Sequence, residues 1–390
     1  MNRDVFISLF PAMFQPSLIP ELEDGSIDSG RYELFLTTLE MLDLESMDIN
    51  RRSDTGRPPK DSVAIARAFV AKATWGMKTT RELLDRLKFD KSLRRMCGWV
   101  FPHEIPSEAT FSRAFAEFAA TEMPARVHEK LVREVYDGRL VGHVARDATA
   151  IEGRERSGKS RKASLPGRQA KQGPSKMLAE LPQECNVARK KNAKGSLLDR
   201  QPKQRLSEML ADLPRECDVA CKKNAKGHGM SWRGYKLHVD VADSGLPLSC
   251  LLTSASVHDS QVAIPLSSLT GERVEHLYEL MDSAYDAKAI RNFCAAAGRK
   301  AIIAINPRRD KAKKERMALE AKARRHAFFT SPSALRYRLR GGVERTYGRL
   351  KDEFGGRSVY VRGPAKVFAH LMFGILALSC DQLGRIRQQR

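Results

Sequence analysis

Three carboxylate residues stand at positions where a carboxylate is costly unless it binds something. Asp147 lies within an otherwise apolar, strand-like stretch, and Asp282 directly follows a short apolar run. Glu344 shares one side of a predicted helix with Arg340 and Lys351. Carboxylate oxygens are the ligands that Mg²⁺ prefers. Two such ions can activate an attacking oxygen, stabilise a leaving oxygen and shield phosphate charge. The pattern therefore predicts that Asp147, Asp282 and Glu344 are the catalytic residues and metal ligands of a phosphoryl-transfer site.

The two aspartates also have structural interpretations. Asp147 could be a strand-end residue that caps a turn, since short polar side chains favour such positions. Asp286 competes with Asp282 for the second metal position, but we expect it to cap the helix that follows. Thr149 shares the face of Asp147 because side chains alternate along a strand.

The third motif is the most specific. Tyr337, Arg340 and Lys351 lie at −7, −4 and +7 relative to Glu344, which places all four on one side of a helix. A salt-bridged solvent face is the common alternative, but it does not explain this ordered spacing. Gly341-Gly342 weakens the helix, so Tyr337 and Arg340 could lie just before its start.

The composition indicates a polyanionic partner. The 390 residues include 68 Lys and Arg against 47 Asp and Glu, a formal charge of +21. Such an excess favours nucleic acid, although a basic protein with another task is the alternative. The seven scattered cysteines form no Cys-x-x-Cys pair, so a zinc ribbon is unexpected and reduced cytosolic thiols are predicted. The apolar segment Phe368–Cys380 is too short to span a membrane and is predicted to be a buried helix.

The chain changes character near Gly138. Residues 30–130 have the periodicity of a bundle of short helices, with Ser107 as an N-cap and Phe111, Phe115 and Phe118 on one face. Beyond it, strands are predicted at the following stretches, together with a helix over Ala287–Ala297 and a helical C-terminus: Leu140–Ile151, Tyr235–Val241, Leu248–Thr253, Leu277–Met281 and Lys300–Asn306. Strands that could form a meander, followed by alternating helices and strands, predict an α/β core.

A basic segment separates the first two of these strands. Residues 154–227 contain 19 Lys and Arg against 8 Asp and Glu, a net +11 by subtraction. Within this segment Met177–Gly195 recurs as Met209–Gly227, 32 residues later. Two copies are too few for a solenoid, so a tandem duplication within an insertion is the simpler explanation. The segment could contact DNA phosphates or be a solvated loop.

These motifs together resemble the bacterial insertion-sequence DDE transposases. Tyr337-x2-Arg340-x3-Glu344-x6-Lys351 matches the signature of that family, and the Asp-x-Thr at Asp147 and the Asp-x-x-Tyr-Asp at Asp282 resemble its first two acidic motifs. The stretch Gly234–Asp259 resembles its central strands, and the helical N-terminal region resembles the domain that precedes many such catalytic cores.

The resemblance implies a fold and a division into domains. The expected architecture is α/β, a ribonuclease-H-like catalytic domain at 140–390 with a basic duplicated insertion at about 154–230. A helical N-terminal DNA-binding domain at 1–135 would precede it. Arg94, Arg95 and Arg113 lie near apolar helix faces there and are candidates for recognising the DNA end.

The resemblance also implies an activity. It assigns the triad to Asp147, Asp282 and Glu344 with two Mg²⁺ ions, for which Mn²⁺ can substitute, and DNA contacts to Tyr337, Arg340 and Lys351. Its substrates would be double-stranded terminal inverted repeats and target DNA, bound by a homodimer or larger synaptic complex. We expect a cytoplasmic protein, nucleoid-associated when on DNA, without membrane partners. A metal-dependent nuclease that does not join DNA and a non-enzymatic DNA-binding protein are the rival hypotheses.

Overall fold

The computed structural model describes residues 29–46, 61–155, 197–223, 229–308 and 310–388. In its N-terminal part the helices are α1 (Ser29–Leu42), α2 (Ser62–Thr74), α3 (Thr80–Phe89), α4 (Lys91–Cys97), α5 (Glu108–Ala120) and α6 (Met123–Val135). Asp61, Thr79, Asp90 and Ser107 cap four of them, because each side chain accepts a hydrogen bond from a backbone N–H of the first turn. The predicted helical bundle and the Ser107 cap are confirmed.

The predicted aromatic face of α5 is the centre of this bundle. Phe111, Phe115 and Phe118 are buried, and their ring centroids lie 5.8, 4.8 and 6.3 Å from that of Phe69 on α2. Phe373, near the C-terminus, closes the cluster at 5.6 Å from Phe69. Such edge-on and tilted contacts are favourable beyond the area that they bury.

A mixed sheet forms the second half. Its strands are β1 (Val141–Glu152), β2 (Asp218–Lys223), β3 (Gly229–Ala242), β4 (Pro247–Ser254), β5 (His276–Met281) and β6 (Lys300–Ile303). The chain of hydrogen-bonded neighbours is β2-β3-β1-β5-β6, and β4 pairs with β3. β3 is antiparallel to β1, β2 and β4, whereas β1, β5 and β6 run parallel. The predicted strands are confirmed, although β6 is shorter and β3 longer than the sequence indicated.

Helices cover the sheet and continue to the C-terminus. They are α7 (Leu197–Arg200), α8 (Leu206–Ala211), α9 (Ser260–Gly271), α10 (Lys288–Ala296), α11 (Lys311–His326), α12 (Pro332–Arg338), α13 (Gly341–Asp352) and α14 (Pro364–Gln388). Short 3-10 turns lie at Leu44–Ser46, Pro102–Glu104, Gln201–Lys203 and Ser283–Tyr285.

The predicted buried C-terminal helix is confirmed as α14, which is longer than expected. Among the described residues α14 is the one helix long and apolar enough to cross a membrane by length and composition, and 72% of its most apolar window is buried within the protein. It packs against α1, α2, α5 and α6 as well as β4. One hydrophobic cluster therefore contains side chains of the helical bundle, the sheet and α14. The bundle and the sheet share a core.

The described part of the basic segment is folded against the sheet domain. Met209 and Leu213, from the second repeat copy, are buried beside residues of α9. The Gln201 side chain is also buried and donates to the Gln261 carbonyl oxygen at 2.6 Å. The first copy, Met177–Gly195, lies outside the described residues. At 197–223, then, the segment is a packed element and not a solvated loop.

Candidate active site

The parallel strands β1 and β5 place two of the predicted carboxylates side by side. Ala145 pairs with Leu280 in the parallel register. Two residues further along each chain are Asp147 and Asp282, which therefore stand at the same level. Asp282 leaves its strand at this point, and its Oδ1 accepts a hydrogen bond from the Ala284 N–H at 2.9 Å.

Helix α13 brings the third carboxylate to the same place. Glu344 lies in its first turn and Arg340 occupies the N-cap position. The Arg340 guanidinium donates to Asp147 Oδ2 at 3.1 Å through Nη1 and to Glu344 Oε1 at 2.6 Å through Nη2. The Glu344 side chain is 60% exposed, against 20% for Asp147. One guanidinium thus joins the first and third predicted ligands.

Two further contacts tie α13 to the strand of Asp147. The buried Tyr347 hydroxyl donates to the Asp147 carbonyl oxygen at 2.6 Å and lies 3.3 Å from the Leu237 carbonyl oxygen. Lys351 Nζ donates to Thr149 Oγ1 at 2.7 Å and to the Ala150 carbonyl oxygen at 3.0 Å. The sequence analysis did not select Tyr347; its position one turn after Glu344 on an otherwise polar helix was the available signal.

The prediction of a single helix for the four signature residues is wrong. Tyr337 lies in α12, which ends at Arg338, and α13 begins at Gly341. The glycine pair and the N-cap at Arg340 separate the two helices, as the weaker alternative anticipated. Tyr337 is nevertheless near the site, since the Arg340 Cζ lies 6.0 Å from the centroid of its ring.

Negative charge accumulates around Asp147. Burial raises the pKa of its carboxyl group, and the nearby Asp282 and Asp259 raise it further, against the Ala148 N–H and Arg340, which lower it. The Tyr285 hydroxyl is buried close to these groups and has no hydrogen-bond partner among the described residues. A cation bound here would relieve the repulsion and favour the charged carboxylate.

The donor chemistry fits a hard divalent cation, although the described residues do not form a closed ligand set. No group of three or more His, Cys, Asp or Glu side chains within the described ranges is close enough to hold a metal ion. Asp147 and Asp282 offer carboxylate oxygens at one level of the sheet. Glu344 is turned onto Arg340, whose guanidinium supplies positive charge between two of the three carboxylates.

A buried ionic network lies beneath the site on the opposite face of the sheet. Arg146, next to Asp147, donates to both oxygens of Asp240 at 2.8 and 2.6 Å and to Glu279 Oε2 at 2.8 Å. Thr270 Oγ1 and Ser267 Oγ donate to the same two carboxylates at 2.6 Å each. Burial opposes the charge of Glu279, yet Arg146 and the basic groups nearby hold its pKa well below the usual range. The network fixes β1 against β3 and β5.

The remaining candidates have structural partners. Asp286 does not cap the next helix, because the N-cap position of α10 is Ala287. It pairs instead with Arg291 at 2.8 Å and accepts from the Asn306 N–H. Asp259 does occupy an N-cap position, but its side chain pairs with Lys236 at 2.9 Å.

His258 and Arg94 also serve local structure. His258 Nδ1 lies 2.8 Å from Ser260 Oγ. The Arg94 side chain is buried and donates to the carbonyl oxygens of Leu87, Lys88 and Val100. Arg94 is therefore a structural residue, and the prediction that it faces DNA is wrong. Arg113 is exposed on α5.

Comparison with protein families gives two matches. Residues 210–380 match the family described as "Transposase DDE domain", a range that includes Asp282, Tyr337, Arg340, Glu344 and Lys351. Residues 30–117 match the "Transposase domain (DUF772)", which covers most of the helical bundle. Asp147 lies outside both ranges. No curated protein and no solved structure matches the chain.

The two families agree with each other and with the signature around Glu344. Each describes part of a transposase, and they occur here in the order helical region, then DDE domain. The chain is therefore a DNA transposase of the insertion-sequence DDE type.

Proposed function

We propose that Asp147, Asp282 and Glu344 form the metal-binding active site with which this transposase cleaves element ends and joins them to target DNA. The observation that carries the proposal is the convergence of the three residues, with Asp147 and Asp282 at one level of adjacent parallel strands and Arg340 linking Asp147 to Glu344. The strand order and directions are those expected of a ribonuclease-H-like sheet, interrupted after β1 by the basic insertion.

Each residue has a defined task in this scheme. The strands hold Asp147 and Asp282, and the contacts of Tyr347 and Lys351 with β1 fix α13 and therefore Glu344. Two Mg²⁺ ions, or Mn²⁺ in their place, supply activation of the attacking oxygen and neutralisation of phosphate charge when bound. Arg340 and Lys351 contact DNA phosphates, and the Tyr337 ring packs against the end of the DNA.

The same carboxylates serve two in-line displacements. In the first, water attacks a phosphodiester at the element end and the 3′-oxygen leaves as a hydroxyl. In the second, that hydroxyl attacks a phosphodiester of target DNA and a new strand junction replaces the broken one. The two steps require paired inverted-repeat ends and target DNA, and we propose that a homodimer or larger synaptic complex holds them in the cytoplasm, at the nucleoid.

The test uses isosteric variants of the full chain. Asp147→Asn, Asp282→Asn and Glu344→Gln should each lower Mg²⁺-dependent cleavage and strand transfer by more than about a hundredfold, because metal-ion stabilisation contributes several kcal/mol. Asp286→Asn and Glu353→Gln are the matched controls, since the first lies four residues beyond Asp282 and the second ends the helix of Glu344. Both should retain activity. An active Asp282→Asn would remove Asp282 from the site.

The wild-type result separates the rival functions. Cleavage of a donor plasmid with no joining of a pre-cut 3′-hydroxyl end would indicate a nuclease. Binding with neither reaction would indicate a non-enzymatic DNA-binding protein. Both would contradict the proposed strand transfer.

We also propose that the helical region recognises the element end. The exposed Arg113 on α5 and the transposase-domain match over 30–117 support this role. Because the bundle shares a core with the sheet and α14, the test belongs in the whole protein. Arg113→Glu should weaken binding to end DNA more than binding to random duplex in a gel-shift assay. Equal weakening would place recognition elsewhere.

A further inference from the structure

Helix α11 has no packed face. None of its sixteen residues is buried, and Leu319 is 68% exposed. A helix of this kind gains little from the core of its own chain, and such helices often contact another molecule. The fold does not explain why the segment is helical and exposed.

The charge of α11 indicates the class of that molecule. Its sequence KAKKERMALEAKARRH contains seven Lys and Arg against two Glu, a net +5 by subtraction. Basic side chains surround the helix, so a polyanion can approach it from several directions. Because the protein is a DNA transposase, DNA is the complementary polyanion.

An exposed aromatic residue follows the helix in a strained conformation. The Phe328 side chain is 98% exposed, and its backbone has φ +48°. Its N–H donates to the Arg325 carbonyl oxygen while the Phe329 N–H reaches back to that of Arg324, so Phe328 occupies the helix-ending position that usually belongs to glycine. A bulky side chain is a genuine outlier there. Strain combined with exposure indicates a functional role for the ring.

The placement of α11 directs this ring away from the sheet. Lys313, near the start of α11, and Ser333, near the start of α12, line the same surface groove beside Asp286. The chain therefore leaves and returns at one place, and a helix of sixteen residues is about 24 Å long. Phe328 and the 57% exposed Phe329 lie at the far end of this arm. From there the chain runs directly into α12 and Arg340.

We propose that α11 and the pair Phe328–Phe329 form a DNA-binding arm in which the helix contacts phosphates and the Phe328 ring stacks on an unpaired base. Aromatic rings stack on bases of any sequence, and the backbone is bound by Lys and Arg. The arm goes beyond the catalytic site proposed above, because binding through it needs neither the three carboxylates nor a metal ion.

The experiment compares two DNA substrates in the presence of a chelator, so that it is independent of catalysis. One is a blunt duplex and the other carries a short single-stranded overhang. Phe328→Gly should weaken binding to the overhang substrate by roughly tenfold, since stacking contributes about 1–3 kcal/mol per base, with little change on the blunt duplex. The melting temperature should not fall, because glycine adopts the φ of this position without strain.

Three further variants define the interpretation. Phe328→Trp should retain binding to the overhang, and Phe328→Asn should lose it while tolerating the backbone conformation. Leu319→Ala removes an exposed apolar side chain from the same helix and should change neither substrate. Equal losses on both substrates, or none, would overturn the proposal. So would a loss of self-association in sedimentation with unchanged DNA binding, which would assign the ring to a second copy of the chain.

Discussion

Arg340 and Asp147 form an ion pair of 3.1 Å across 193 residues of sequence, and the same guanidinium holds Glu344 at 2.6 Å. Burial opposes the positive charge of Arg340, but Asp147 and Glu344 outweigh it, so the pKa of the guanidinium is raised. Arg340 therefore compensates the carboxylates of the candidate site in the DNA-free protein. A guanidinium cannot lose its proton in this environment, so only its movement exposes the two carboxylates.

This arrangement predicts that Arg340 competes with the metal ions. Arg340→Gln should tighten Mn²⁺ binding to the DNA-free protein by about fivefold to tenfold, because a partly exposed ion pair contributes on the order of 1 kcal/mol. Electron paramagnetic resonance of free Mn²⁺ measures this affinity without any turnover. Arg345→Gln is the control, since Arg345 is exposed on the same helix. Weaker Mn²⁺ binding in Arg340→Gln would mean that the guanidinium organises the carboxylates and does not mask them.

Tyr347 should act on catalysis through position. Tyr347→Phe keeps the buried ring but removes the hydroxyl that contacts the Asp147 and Leu237 carbonyl oxygens. We expect the free energy of unfolding to fall by about 1 kcal/mol and the single-turnover cleavage rate to fall more than affinity for end DNA. Urea denaturation and single-turnover kinetics measure the two effects. Tyr360→Phe, at a 44% exposed tyrosine, should change neither, and an unaltered cleavage rate in Tyr347→Phe would leave the hydroxyl a purely structural role.

The sequence predicted the elements of this site better than their junctions. Asp147 and Asp282 could be found because each is a charged residue beside apolar strand residues, and alternation along a strand determines which face it shares. Glu344 could be found from its spacing to Arg340 and Lys351. The break between α12 and α13 was harder to predict, since Gly341-Gly342 weakens a helix without determining whether it ends.

Tertiary relationships between distant strands could not be read from spacing. Arg146 pairs with Asp240 and Glu279 because three strands meet in one register, and each residue alone resembles a surface charge in a strand. The buried Arg94 shows the reverse error, because an arginine near an apolar helix face can satisfy backbone carbonyl groups as well as DNA. The shared core of bundle and sheet likewise depends on α14 returning to α2 and α5.

The Arg146 network should be essential for stability. Arg146→Met leaves Asp240 and Glu279 buried without their main partner, which should lower the free energy of unfolding by about 3–5 kcal/mol. Combining it with Asp240→Asn and Glu279→Gln removes the uncompensated charges and should restore part of that loss. Arg345→Met on exposed α13 should change stability by less than about 0.5 kcal/mol. Urea denaturation of the four proteins tests the network, and a mild effect of Arg146→Met alone would show that water reaches it.

Two buried histidines predict a decline of stability in mild acid. Burial lowers the pKa of His128 to about 3 and that of His238 to about 4. The unfolded chain binds these protons near pH 6.5, so the stability that the neutral histidines contribute is present above that pH and declines as the pH falls towards 4. Two protons give a slope of about 2.7 kcal/mol per pH unit at most, measurable by urea denaturation between pH 7 and pH 5. His238→Gln should halve this part of the slope, whereas His103→Gln, at an exposed position, should not.

The repeat in the basic segment can be removed without touching the described structure. The similarity extends upstream of the two cores, so that residues 164–195 and 196–227 form consecutive periods of 32 residues. Residues 197–223 supply the buried Met209, Leu213 and Gln201. Deletion of 164–195 joins residue 163 to Ser196 and leaves that packed part in its natural order. The first period carries seven Lys and Arg against two Glu, a net +5 by subtraction.

Deleting residues 164–195 should therefore reduce DNA affinity without selectivity for sequence. Each lost phosphate contact releases fewer counterions, so the slope of log affinity against log salt should shrink by about 0.9 per contact on duplex DNA. Replacing the same residues by an uncharged Gly-Ser segment of equal length should give the same result, because charge and not length is responsible. Affinities across a salt series, on end DNA and on random duplex, measure both proteins against wild type. An unchanged slope would make the first copy a solvated loop, and a loss confined to end DNA would make it part of the sequence-specific reader in place of the helical bundle.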